Sequence, residues 1–84
     1  MTYQVRFEGP ALVQLRGMPA EGFDALLARV VELVHAPWDA VVMPPGDDPA
    51  YRQAVFGSGW GGLLTFHVDD DAELIRIFDL IWIG

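Results

Sequence analysis

Leu74-Ile75-Arg76-Ile77-Phe78-Asp79-Leu80-Ile81-Trp82-Ile83 is apolar on both of its alternating faces, interrupted only by Arg76 and Asp79. A strand of that kind belongs inside a sheet, with neighbours on both sides and cover on its faces. It follows two further strand-like runs, Tyr51–Phe56 and Gly62–Val68, separated by the glycine-dense turn of residues 57–62 and by the hairpin Asp69-Asp70-Asp71. Working back toward the N-terminus, Trp38–Met43 reads as a short strand, and Pro44-Pro45-Gly46-Asp47-Asp48-Pro49 as a stiff polar loop.

The front half has a different period. Thr2–Phe7 alternates, with Tyr3, Val5 and Phe7 on one side and Gln4 and Arg6 on the other. Glu8-Gly9-Pro10 breaks that strand, and Pro10 suits the first position of a short helix that stops at Gly17 and Pro19. Phe23, Leu26, Leu27, Val30, Val31 and Val34 then recur at helical spacing as one stripe, closed by Ala36-Pro37. The order strand, two helices, strands predicts an α+β fold: a two-helix hairpin on a mainly antiparallel sheet of four to five strands, forming a single domain over residues 1–84.

Composition narrows the function. Twelve acidic side chains stand against five arginines and no lysine, a net charge of −7 that repels phosphate and argues against general binding of DNA or RNA. A basic protein partner suits that charge. The 52% hydrophobic content is more than a chain of this length easily hides, so a homodimer is a second partner reading. With no cysteine, neither a disulfide framework nor a thiolate metal site is possible. No cofactor is expected, and the carboxylates of Asp69-Asp70-Asp71 read as turn caps rather than as a metal site. The longest apolar run is about half the length of a membrane helix, and no basic start leads into an apolar stretch, so a cytoplasmic protein without a membrane partner is expected.

The opening Tyr3-Gln4-Val5-Arg6-Phe7-Glu8-Gly9-Pro10, the helical hairpin with Leu15 and Pro19 at its corner, the closure on Ala36-Pro37-Trp38, the Tyr51-Arg52 strand and the strand ending in Val68-Asp69-Asp70 together resemble the RelE/ParE superfamily of bacterial toxin–antitoxin modules. The resemblance covers essentially the whole chain. It implies an antitoxin partner and, in ribosome-dependent members, cleavage of messenger RNA by clustered Arg, Lys, His or Tyr groups. Arg52 matches the arginine that often follows the strand-opening tyrosine. Departures follow: Gly61-Gly62-Leu63-Leu64 stands where another arginine is usual, and the last strand ends without the usual histidine–arginine pair.

Two readings result. In the first, the protein is a divergent toxin-fold chain that acts by protein–protein interaction with weak or no ribonuclease activity. Its contact residues are then Trp60, Trp82 and Asp79. In the second, it is an active ribosome-dependent endoribonuclease, with Arg52 and Arg76 on phosphate in one cleft and His67 or Tyr51 moving protons. Against a catalytic role, each arginine is expected to pair with a carboxylate, Asp79 for Arg76. Asp79 itself, in apolar surroundings, requires a partner such as Arg76, Arg6 or Trp82.

Overall fold

The computed structural model describes residues 2–84. Five strands form one sheet: β1 (Gln4–Phe7), β2 (Val41–Val42), β3 (Tyr51–Phe56), β4 (Gly62–Asp69) and β5 (Leu74–Trp82), in the spatial order β1-β5-β4-β3-β2. β1 runs parallel to β5, and every other pairing is antiparallel. Helices α1 (Pro10–Arg16) and α2 (Ala20–Leu33) connect β1 to the rest. β5 is therefore an interior strand, but the expected cover on both faces is not found: Ile75, Ile77 and Leu80 are buried toward the helices, whereas Arg76, Phe78 and Ile81 lie on a face without helices among the described residues.

Phe56, Leu64, Phe66, Ile75, Ile77 and Leu80 point from the sheet into a core completed by Ala11 of α1 and by Leu26 and Leu33 of α2. The opposite face of the sheet carries no helix. Trp82 lies on the helix side, its ring stacked on Phe56 at 5.7 Å. Gly22 of α2 makes that packing possible, since a Cβ there would come within 2.9 Å of the indole. The α2 stripe is wider than the core it serves: Val30 and Val34 pack inward, whereas Phe23, Leu27 and Val31 remain exposed.

Two expectations need correction. Trp38–Met43 is not a continuous strand: Pro37–Asp39 forms a 3-10 turn, and only Val41–Val42 pairs with β3. Proline at the start of the turn fixes helical φ and removes a ladder donor, which delays the strand. Asp79 has no arginine partner. β1 ends opposite Ile77, and from there the side chain of Gln14 takes the place of a neighbouring strand: its Nε2 donates to Asp79 Oδ1 (2.9 Å), and its Oε1 accepts from the Leu80 N–H (2.8 Å). A register shift beside Thr65 and Phe66 is what turns Asp79 to that position.

At the other end of the sheet Asp70 accepts hydrogen bonds from Tyr3 Oη (2.5 Å) and Trp38 Nε1 (3.1 Å), tying together the entry to β1, the 3-10 turn and the β4–β5 hairpin. The hydrogen bond to Asp70 raises the Tyr3 phenol above its ordinary 10.0, against a smaller lowering by Trp38. The neutral phenol is the favoured form in the folded protein, so its contribution is complete below about pH 10 and is lost as pH rises through the raised value. In a Tyr51→Phe background, phenolate absorbance should develop at higher pH than in the same background carrying Asp70→Ala.

Candidate functional site

Register dictates which side chains meet on the helix-free face. Tyr51 of β3 is opposite His67 of β4, and His67 is opposite Arg76 of β5, so the three form one row across the sheet. The Tyr51 and His67 rings meet edge to face at 4.8 Å, and Phe78 closes on Tyr51 at 5.9 Å. With Glu8 and Asp69 these residues line an open cleft of about 350 Å³.

Glu8 arrives because its N–H donates to Ile77 O just beyond the last β1–β5 pair. Its carboxylate lies 3.4 Å from Arg76 Nη1 and 3.6 Å from Arg6 Nη1. Asp69 Oδ2 lies 3.9 Å from Arg76 Nη2. The guanidinium of Arg76 is thus flanked by two carboxylates, neither of them the expected Asp79. A unit-charge pair at about 4 Å gains about 4 kcal/mol at a protein surface before screening. With Arg76 38%, Glu8 34% and Asp69 30% exposed, the net worth of each pair is far smaller. The sign is what counts chemically: among the described residues Arg76 and its register neighbour Arg6, which shares Glu8 with it, are met by two carboxylates, Glu8 and Asp69, so the formal charge of the cluster is balanced rather than positive.

Arg52 is elsewhere. Alternation along β3 turns it to the face opposite Tyr51. Its Nε donates to Pro49 O (2.6 Å), its Nη1 donates to Trp38 O (3.0 Å) and Ala40 O (2.9 Å), and its guanidinium lies 4.8 Å from the centre of the Trp38 ring. The planar fork of arginine suits three carbonyls at once. Arg52 therefore clamps the segment running from the 3-10 turn into β3; it is held by carbonyls rather than by the expected carboxylate, and the two arginines do not share the one cleft that the second reading required. Arg52→Ala is expected to lower the thermal midpoint by several degrees, the effect of losing about 1–2 kcal/mol of charge-assisted hydrogen bonding, and to leave anion binding in the Arg76 cleft unchanged in an NMR phosphate titration.

The remaining contact candidates lie apart from this row. Trp82 is half-buried under α2, and Asp79 is held by Gln14. Trp60 is 75% exposed in the loop after β3. Glu8 and Asp69 were missed in the sequence as site residues. Glu8 reads there only as part of a strand breaker, and its approach to Arg76 depends on a pairing of strands at opposite ends of the chain. No group of three or more His, Asp or Glu side chains among the described residues is placed to hold a metal ion. What the cleft presents is an imidazole, a phenol and two carboxylates around the Arg76 guanidinium. No helix among the described residues is long and apolar enough to cross a membrane.

No protein-family model matches the chain, and no curated protein matches it. Solved structures do. An arginine-to-alanine double mutant of E. coli toxin RelE in complex with an antitoxin RelBc peptide superposes with a TM-score of 0.80 at 19% identity, covering 100% of this chain and 86% of that one. The toxin of the intact E. coli RelBE toxin–antitoxin complex gives 0.80 at 19% identity over 98% of each chain. The Mycobacterium tuberculosis RelBE2 toxin–antitoxin complex gives 0.79 at 21% identity over 99% of this chain and 100% of that one. Two helices on a five-stranded sheet with a parallel first strand, shared end to end at that similarity, give this chain the RelE toxin fold.

Proposed function

We propose that this RelE-fold protein works by binding a protein partner of the antitoxin kind, and that its cleft has lost most or all capacity to cut RNA. The observation that carries the reading is the flanking of Arg76 by Glu8 and Asp69. Cleavage at a ribose 2′-hydroxyl piles negative charge onto the phosphoryl oxygens, and positioned cations stabilise that charge. Here Arg76, together with Arg6 beside it, is met by as many carboxylates, and Arg52 is committed to main-chain carbonyls. The net charge of −7 favours a basic partner in the cytoplasm. Similarity to toxins solved in complex with antitoxins supports the same class of partner.

A second reading has its own observation. Tyr51, His67 and Arg76 stand in one row on the open face, and a phenol, an imidazole and a guanidinium are the groups a ribosome-dependent endoribonuclease uses. Induced expression in a bacterial host separates the two. Unchanged growth with intact transcripts is expected. Growth arrest with transcripts cut during translation would establish the nuclease instead.

A further inference from the structure

The cleft on the helix-free face holds its charges in balance. Arg6 and Arg76 stand opposite each other in the β1–β5 register, and one Glu8 oxygen reaches both, at 3.6 Å and 3.4 Å. Asp69 adds a second carboxylate 3.9 Å from Arg76. Two guanidinium groups against two carboxylates leave no net charge. The Tyr51 phenol and the His67 imidazole, ring against ring at 4.8 Å, complete the polar wall.

His67 is the side chain able to break that balance. Histidine changes charge between pH 5 and 8 where the other side chains need help to do so. The groups that face it come from every neighbouring element: Tyr51 from β3, Arg76 from β5, Glu8 from the turn after β1, and Asp69 two residues further along β4 on the same face. Phe78 of β5 closes the wall without charge. A proton on His67 therefore takes the cluster from neutral to one positive charge. His67 is half-buried beside Arg76, where a unit charge counts for more than in open water. Paired strands hold all of these groups in place, so no segment has to move.

We propose that His67 makes this cleft a proton-gated site for a small tetrahedral oxyanion, without useful affinity while the imidazole is neutral and competent once it is protonated. The donors are the Arg76 guanidinium, the imidazolium N–H of His67 and the Tyr51 hydroxyl, one from each of three adjacent strands. Hydrogen bonds from charged donors to an oxyanion are the strong kind. While His67 is neutral, Glu8 and Asp69 cancel the guanidinium charge and repel the ligand. The open volume of about 350 Å³ admits sulfate or free phosphate with part of its hydration. By linkage the bound anion must in turn favour the proton on His67 by the same factor. The inference uses the charge balance of the cleft and requires no protein partner.

Sulfate is the probe, because its own charge stays constant over the range used. Its binding to the full chain is followed by NMR through the backbone amides of residues 67 and 76, at fixed ionic strength, near pH 7.5 and near pH 5.5. Affinity should be about tenfold higher or more at the lower pH. The imidazole ring signals read the reciprocal effect. Added sulfate should raise the titration midpoint of His67 and leave that of His35, exposed just beyond α2, where it is. His67→Gln should abolish the pH dependence and hold the affinity at its low value. His35→Gln removes the same titrating charge from the whole protein and should keep the dependence. Equal affinity at the two pH values, a dependence that survives His67→Gln, or equal movement of both midpoints overturns the proposal. Acid-enhanced binding in a chain whose expression cuts transcripts loses the earlier reading and keeps this one. Binding indifferent to pH in a chain that leaves growth unchanged loses this one alone.

Discussion

Glu8→Gln combined with Asp69→Asn is expected to turn the cleft into an anion site. Both substitutions keep side-chain shape and remove the negative charges at 3.4 Å and 3.9 Å from Arg76. The guanidinium fork, freed of both partners, then faces the cleft with its full charge beside Tyr51 and His67. Inorganic phosphate, followed through the backbone amide shifts of residues 67 and 76, should bind the double variant at least tenfold more tightly than the parent. That factor is about 1.4 kcal/mol, which takes the two pairs together near the upper end of about 0.2–1 kcal/mol for each partly exposed pair. Each single variant should fall between, because Arg76 keeps one carboxylate. The effect should fade with added salt, as interactions among partly exposed charges do. Equal phosphate affinity in parent and double variant would remove the electrostatic basis of the binding reading.

Phe66→Ala should come close to unfolding the protein. Phe66 lies in the central strand with 0% exposure, paired to Arg52 on one side and Ile77 on the other. Truncating such a ring costs about 3–5 kcal/mol in transfer and cavity terms. A chain of this length holds a total of roughly 4–13 kcal/mol. The urea midpoint should therefore fall steeply, by about a quarter at the least. Val31→Ala is the matched control. It removes two methyl groups from the exposed side of α2 and should change stability by less than about 0.5 kcal/mol. Similar losses from the two would mean that the exposed half of the α2 stripe is covered in solution.

Val31 also shows how far periodicity reaches. Spacing marks α2 as a helix because the repeat of its apolar residues is a property of the segment alone. Which part of the stripe meets the sheet depends on how the helix is docked, and Phe23, Leu27 and Val31 fall on the wrong side of it. The same division runs through the site. Tyr51 and Arg52 are neighbours in a strand, so alternation already sends them to opposite faces. The loop carbonyls that Arg52 binds are local, at residues 38, 40 and 49. By contrast, Glu8 against Arg76 and Gln14 against Asp79 each join residues more than sixty positions apart. No local rule brings them together, and the register shift by Asp79 is invisible before the strands are paired. Family resemblance carried the two helices on a mainly antiparallel sheet, while the strand order and the parallel pairing of β1 with β5 are legible only in the structure.

The parallel ladder between β1 and β5 matches Gln4 with Leu74 and Phe7 with Ile77, across a span of 70 residues. During synthesis β1 leaves the ribosome early and finds no mate until the segment after the last hairpin has emerged. Helix α2 can pack on β3 and β4 before then, but α1, whose main partner is β5, cannot, and closure of so long a loop is slow. The row that holds Arg76, and the Glu8 beside it, therefore comes into being last. Until β5 has emerged the chain exposes neither a formed cleft nor a finished core, and any partner that reads the assembled sheet can engage only after that.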